Sequence, residues 1–162
     1  MGDALVLWIH ILAAAIFVGP QVFLFVAAVP AMRTIEDVQQ RTRATRTLTT
    51  RFGWIAGGAL VVLILTGIQN WVHANDEGLL DFDRYSNTLM VKLTLVVIVI
   101  ILTAVHGGFI GRRLLKLQES NAPEAEIAAT RRWSIILSAA VLVVSVAILL
   151  CAALLGSDWS KQ

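Results

Sequence analysis

The chain has 162 residues and a formal net charge of +2, with 57% hydrophobic and 15% charged residues. Together with a mean hydropathy of +0.77, this composition excludes a water-soluble globular domain and indicates a small integral membrane protein. The charged residues lie in short segments between long apolar runs, so the net charge indicates membrane topology and not nucleic-acid binding.

Four apolar runs reach the roughly 20 residues that a helix needs to cross the hydrocarbon core of a bilayer. The first has no basic residue ahead of it and no convincing cleavage site behind it, so we expect a retained helix and not a signal peptide. The pattern predicts an all-α integral membrane fold, with residues 1–162 forming one four-helix bundle. Its transmembrane helices are predicted at residues 5–29, 52–72, 89–110 and 133–155.

Basic residues cluster in the first and third loops, which hold ten of the thirteen Lys and Arg residues, whereas the second loop is acidic. The positive-inside rule then places both basic loops in the cytoplasm and both termini outside, in a multi-pass protein of the inner membrane. Residues 36–51 contain no Gly or Pro, so this loop is expected to be helical and to touch anionic lipid. The tryptophans agree with this topology, at the outer boundary (Trp8, Trp71, Trp159) and the inner one (Trp54, Trp133).

Ionisable groups inside the predicted spans are candidate functional residues, because such groups are costly in hydrocarbon without a partner or a cofactor. His10 lies in the first span, and Lys92 and His106 lie within about 40° of each other on one face of the third. His73 lies at the outer boundary, where an ordinary interfacial role is the alternative. From their depths, His10, His73 and Lys92 are candidates for one outer cluster, whereas His106 lies nearer the inner side.

Each of the other candidates also has a structural alternative. Gly19-Pro20 interrupts the first span, either to kink the helix for packing or to widen a cavity for a cofactor. Gln21 lies on the same helix face as His10. Lys92 either extends to the interface or pairs with a haem propionate or an acidic loop residue. For His106 the alternative is a hydrogen bond to a neighbouring helix.

The sequence resembles the copper-resistance protein D (CopD-like) membrane family. The resemblance rests on the Leu65-Thr66-Gly67 motif, on the acidic loop after it, and on the segment NTLMVKLTL, which contains Lys92. The first span, WIHILAAAIFVGPQVFLFVAAVPAMR, also resembles that family's first helix, with His10 in a matching place. The chain is a half-size version of the larger eight-helix members, and the resemblance implies a role with copper.

A more distant similarity is to the HemJ-type haem-binding membrane proteins, carried by His10, Lys92 and the His106-Gly107 pair. Those enzymes have an arginine after the kink of helix one, and Gln21 stands near that place here. The similarity therefore implies haem b binding and leaves the oxidase reaction in doubt.

Three functions remain open. The first is a haem b and/or copper protein with an electron-transfer or metal-handling role, in which His10 is an axial ligand, His73 or His106 the second ligand, and Lys92 neutralises a propionate. The second is copper transport or delivery without haem, which the lack of Met-rich or His-rich outer loops weakens. The third is a cofactor-free assembly subunit.

No hydrolytic triad, phosphate loop or structural zinc motif is present, so any enzymatic activity would be that of a membrane oxidoreductase. The expected partners are the lipid bilayer and either a second copy of the chain or a redox protein. The candidate metal ligands are the three histidines, and the candidate cofactor-binding residues are His10, Gln21, His73, Lys92 and His106.

Overall fold

A computed structural model describes residues 2–120 and 122–161, and within these ranges the chain is helical apart from short connections and contains no strand. Each of four helices is long and apolar enough to cross a membrane, which confirms the predicted all-α class and its four spans. Helix α1 covers Gly2–Arg33, α2 covers Val38–Asp76, α3 begins at Asp83 and ends with the segment Arg112–Glu119, and α4 covers Glu124–Leu155.

The chain divides between Leu79 and Leu80 into two compact units. Unit 1 contains α1 and α2, and unit 2 contains α3 and α4. The single four-helix domain over residues 1–162 stays a prediction.

The helices of unit 1 are antiparallel. Phe23, late in α1, lies against Phe52 of α2, with the ring centroids 6.2 Å apart. Ala13 and Phe17 are the buried residues of the α-helical part of α1, and Ala59 is a buried residue of α2. Small side chains such as Ala13 and Ala59 in a membrane-helix interface let two backbones approach closely.

Helix α2 is longer than the predicted span of residues 52–72. It has 39 residues and begins at Val38, after Asp37 accepts hydrogen bonds from the backbone N–H groups of Gln39 and Gln40. Such an N-cap stabilises a helix start by about 1 kcal/mol. At 1.5 Å per residue α2 is roughly 58 Å long, about twice the hydrocarbon thickness, so its basic first turns continue beyond the membrane as one helix.

Contacts at both ends show that α3 and α4 of unit 2 are also antiparallel. At one end the guanidinium carbon of Arg84 lies 5.4 Å from the ring centre of Trp159. At the other, Arg113 and Glu126 form a 3.1 Å ion pair between exposed side chains. Because Arg84 opens α3 and Trp159 follows α4, these contacts agree with the predicted placement of both residues on one side of the membrane.

In the described part of the chain, helices α1 and α3 each contain a stretch of π-helix. One covers Leu24–Ala28 in α1, and the other covers Val105–Gly111 in α3 and includes His106. Pro20 remains inside the α-helical part of α1, and the first π-helical stretch follows four residues later. π-Helical turns are frequent at functional sites, and the second stretch contains one of the candidate histidines.

Candidate functional site

The imidazole of His10 is held by a threonine of the neighbouring helix. Nδ1 of His10 lies 2.7 Å from Oγ1 of Thr66, which joins α1 to α2 within the apolar spans of unit 1. The same Thr66 oxygen lies 2.7 Å from the carbonyl oxygen of Val62, one turn earlier in α2. His10 is half-buried in the isolated chain.

This pair of contacts determines which ring nitrogen of neutral His10 carries the proton. A carbonyl oxygen only accepts hydrogen bonds, so the single hydroxyl proton of Thr66 is donated to Val62. Nδ1 of His10 must then be the donor to the Thr66 oxygen, which leaves the ring's lone pair on Nε2. Metal-ligating histidines are oriented in this way, by donating their other N–H to a second residue.

The residue after Thr66 completes the surroundings of the ring. A Cβ atom built on Gly67 would lie 3.5 Å from Cε1 of His10, an ordinary contact distance. Within the Leu65-Thr66-Gly67 motif, Thr66 thus supplies the hydrogen-bond acceptor for His10. Gly67 has no side chain, so its backbone lies next to the imidazole ring. An alanine fits at residue 67, whereas a larger side chain would displace the imidazole.

An apolar groove runs along unit 1 beside this histidine. Its volume is about 270 Å³, and its lining includes Ile9 and Ala13, which flank His10 in α1, and Val62, which accepts the hydrogen bond from Thr66. The remaining lining residues are also apolar: Leu12, Ile16 and Ala59. The groove thus offers an apolar surface one helix position from His10, while His10 and Thr66 are not among its lining residues.

His73 has a different environment. Its Nε2 lies 3.3 Å from a carboxylate oxygen of Glu77, four residues later on the same helix, and both side chains are about half exposed. It lies seven residues beyond Thr66, which is roughly 10 Å further along α2. His73 thus pairs with an acidic neighbour at the helix end, two turns away from the residue that holds His10.

Gln21 and Lys92 also find partners in their own units. The amide nitrogen of Gln21 donates a 3.0 Å hydrogen bond to the carbonyl of Phe17 in the same helix. Gln21 is eleven residues from His10, roughly 16 Å along α1. Lys92 lies close enough to the buried thiol of Cys151 in α4 for an electrostatic interaction between the two. Their predicted roles at a cofactor stay predictions.

His106 repeats the arrangement of His10 with the two ring nitrogens exchanged. Its Nε2 lies 3.2 Å from Oγ of Ser138 in α4, and that hydroxyl donates a 2.9 Å bond to the carbonyl of Ser134. By the same argument Nε2 of the neutral ring donates to Ser138, and Nδ1 carries the lone pair. The sequence had offered this hydrogen bond between helices as the alternative to a ligand role.

Among the described residues, no group of three or more His, Cys, Asp or Glu side chains is placed to hold a metal ion. The two units instead present separate histidines, each oriented by a hydroxyl of the neighbouring helix. Fold and side chains together define a multi-pass, all-helical membrane protein with imidazoles held inside its spans.

The sequence profile of the copper resistance protein D family matches residues 46–155, about two thirds of the chain. The chain belongs to this family, which confirms the resemblance and relates the protein to copper. No curated protein and no solved structure matches it. The matched region contains Thr66, His73, Lys92 and His106 and begins after His10. The similarity to HemJ-type proteins stays a prediction.

Proposed function

We propose that the protein binds haem b in the membrane through Nε2 of His10 and serves in electron transfer. The observation that carries the proposal is the hydrogen bond between Nδ1 of His10 and Thr66, because metal-ligating histidines are oriented by such a bond to a second residue. An ionisable side chain within a hydrocarbon span is also a functional candidate in its own right.

The choice of haem follows from the number and kind of groups around His10. A macrocycle supplies four of the iron's ligands, so one protein imidazole suffices to attach it, whereas a bare ion needs several protein ligands. Nε2 is the ring nitrogen further from the backbone of α1. The apolar groove beside His10 suits the hydrophobic edge of such a ligand.

The residues of unit 1 would then have distinct tasks. Thr66 fixes the tautomer and the plane of the imidazole, Gly67 places no side chain against the ring, and the groove residues present an apolar surface. A bound haem b supplies one-electron redox chemistry, whose potential depends on the axial ligand and on the polarity around it.

Copper is the second candidate, and family membership is the observation that favours it. Imidazole nitrogen suits copper as well as haem iron, so the same Nε2 of His10 would serve in copper handling. The distribution of basic residues supports placement in the inner membrane with both termini outside, for either metal.

An absorption spectrum of the detergent-purified protein, oxidised and dithionite-reduced, tests the proposal when iron and copper are measured on the same sample. We expect a Soret band, reduced α and β bands, and about one haem iron per chain held by unit 1. Bound copper in a protein without a Soret band would reject haem binding and favour copper handling. A colourless protein with neither metal, after expression with both available, would contradict both proposals and favour an assembly subunit.

A further inference from the structure

Two buried polar atoms in α3 lack a hydrogen-bond partner within the described part of the chain. They are Oγ1 of Thr103 and Nδ1 of His106. Their residues are three apart, so their Cβ atoms are about 5–6 Å from each other on one helix face. A buried polar group left without a partner is destabilising, and here two such groups are neighbours.

Thr103 departs from the pattern of other hydroxyl residues in the spans. Thr66, Thr94, Ser138 and Ser145 each donate to the carbonyl four residues earlier, the usual way to satisfy a hydroxyl in a membrane helix. Thr103 makes no such bond, although Thr94, nine residues earlier in the same helix, does. Its hydroxyl therefore has a proton to donate and lone pairs to offer.

His106 presents the complementary group. Because Nε2 donates to Ser138, whose own proton is committed to Ser134, Nδ1 is an acceptor in the neutral ring. The ring lies at the start of the π-helical stretch Val105–Gly111, where the backbone is wider than in an α-helix.

We propose that Thr103 and His106 bind one internal water molecule inside unit 2. A water donates one proton to Nδ1 of His106 and makes a second hydrogen bond with Thr103, which satisfies both atoms; two polar partners are the minimum that an internal water requires. The proposal does not depend on haem or copper binding in unit 1.

Other ligands fit this position less well. A copper ion would find one strong donor here, since no group of three metal-ligating side chains exists in the described residues. A haem would have to approach Nδ1, which is bonded to the ring carbon that carries Cβ, so the macrocycle would collide with α3. A small neutral molecule that both donates and accepts avoids both problems.

The water extends a hydrogen-bonded chain across the helix pair. The chain runs from Thr103 through the water and His106 to Ser138, and ends at the carbonyl of Ser134. Ser134 lies towards the end of unit 2 where Arg113 pairs with Glu126. The site is thus an internal hydration point in direct contact with the His106 ring.

Solid-state NMR of ¹⁵N-histidine-labelled protein in lipid bilayers tests this site. The chain has three histidines, so spectra of His10→Gln and His73→Gln identify the signals of His106. We expect an Nε2–H tautomer with magnetisation transfer from water protons to Nδ1, and loss of that transfer in Thr103→Val. Thr94→Val is the matched control, because this exposed threonine of the same helix bonds to its own backbone.

Three results would overturn the proposal. They are a proton on Nδ1 of His106, a metal-coordination shift at that nitrogen in the protein as purified, and water transfer that is absent in the wild type or unchanged in Thr103→Val. None of them bears on the Soret band assigned to His10, so the two proposals fail independently.

Discussion

The His10→Ala variant is expected to lose the Soret band and the reduced α and β bands completely. The substitution removes the imidazole that Thr66 orients and leaves no other nitrogen donor at that position in α1. Alanine is the strongest helix former, and His10 lies among apolar residues of a membrane span, so α1 should still form. The measurement is the absorption spectrum of wild type and variant at equal protein concentration, with circular dichroism to compare helix content.

His73→Ala is the matched control for that experiment. His73 lies near the end of α2 and pairs with Glu77 through half-exposed side chains, an interaction worth at most about 1 kcal/mol. This variant should keep the spectrum of the wild type. An unchanged Soret band in His10→Ala, or its loss in His73→Ala alone, would reject His10 as the ligand.

Thr66→Val is expected to weaken haem binding by about 10–100-fold without abolishing it, the usual effect of removing the residue that orients a metal ligand. Valine has nearly the shape of threonine, so packing between α1 and α2 is preserved. The Nδ1–H group of His10 loses its acceptor, which costs roughly 1–3 kcal/mol in an apolar setting and frees the ring to change tautomer or rotate.

The corresponding measurement is titration of the apoprotein with haem, followed at the Soret maximum. Thr94→Val serves as the control, because Thr94 makes the same kind of backbone hydrogen bond as Thr66, to the carbonyl of Met90, on a helix of the other unit. Equal affinities for Thr66→Val and the wild type would show that the His10–Thr66 hydrogen bond does not govern the site.

The helical fold was largely predictable, because hydrophobicity over about 20 residues is a strong signal for a membrane span. Hydropathy locates the part of a helix that lies in the bilayer and not its ends, so the first 14 residues of α2 were not included in the predicted span. The lack of Gly and Pro in residues 36–51 did predict a helical loop, which the structure confirms, and Asp37 caps the start of that helix.

The contacts between helices required the structure. His10 was a predicted candidate and Thr66 part of a family motif, but 56 residues separate them, and their pairing depends on the register between α1 and α2. The bond between His106 and Ser138 depends on register in the same way. The His73–Glu77 pair, in contrast, is visible in the sequence because residues four apart in a helix are neighbours.

The role of Gly67 could not be predicted from the sequence either. The sequence showed it only as part of a family motif, whereas the structure shows its backbone against the ring of His10. The π-helical stretches have no sequence signal of comparable strength, so the partnerless atoms beside the second one were not predicted.

The central claim, that Nε2 of His10 binds the haem iron, is tested most directly by electron–nuclear double resonance on oxidised protein whose histidines carry ¹⁵N at Nε2 alone. We predict a strong ¹⁵N coupling from a nitrogen bonded to iron, present in the wild type and in His73→Ala and absent in His10→Ala. A coupling that persists in His10→Ala, or one that appears only when Nδ1 carries the label, would contradict it.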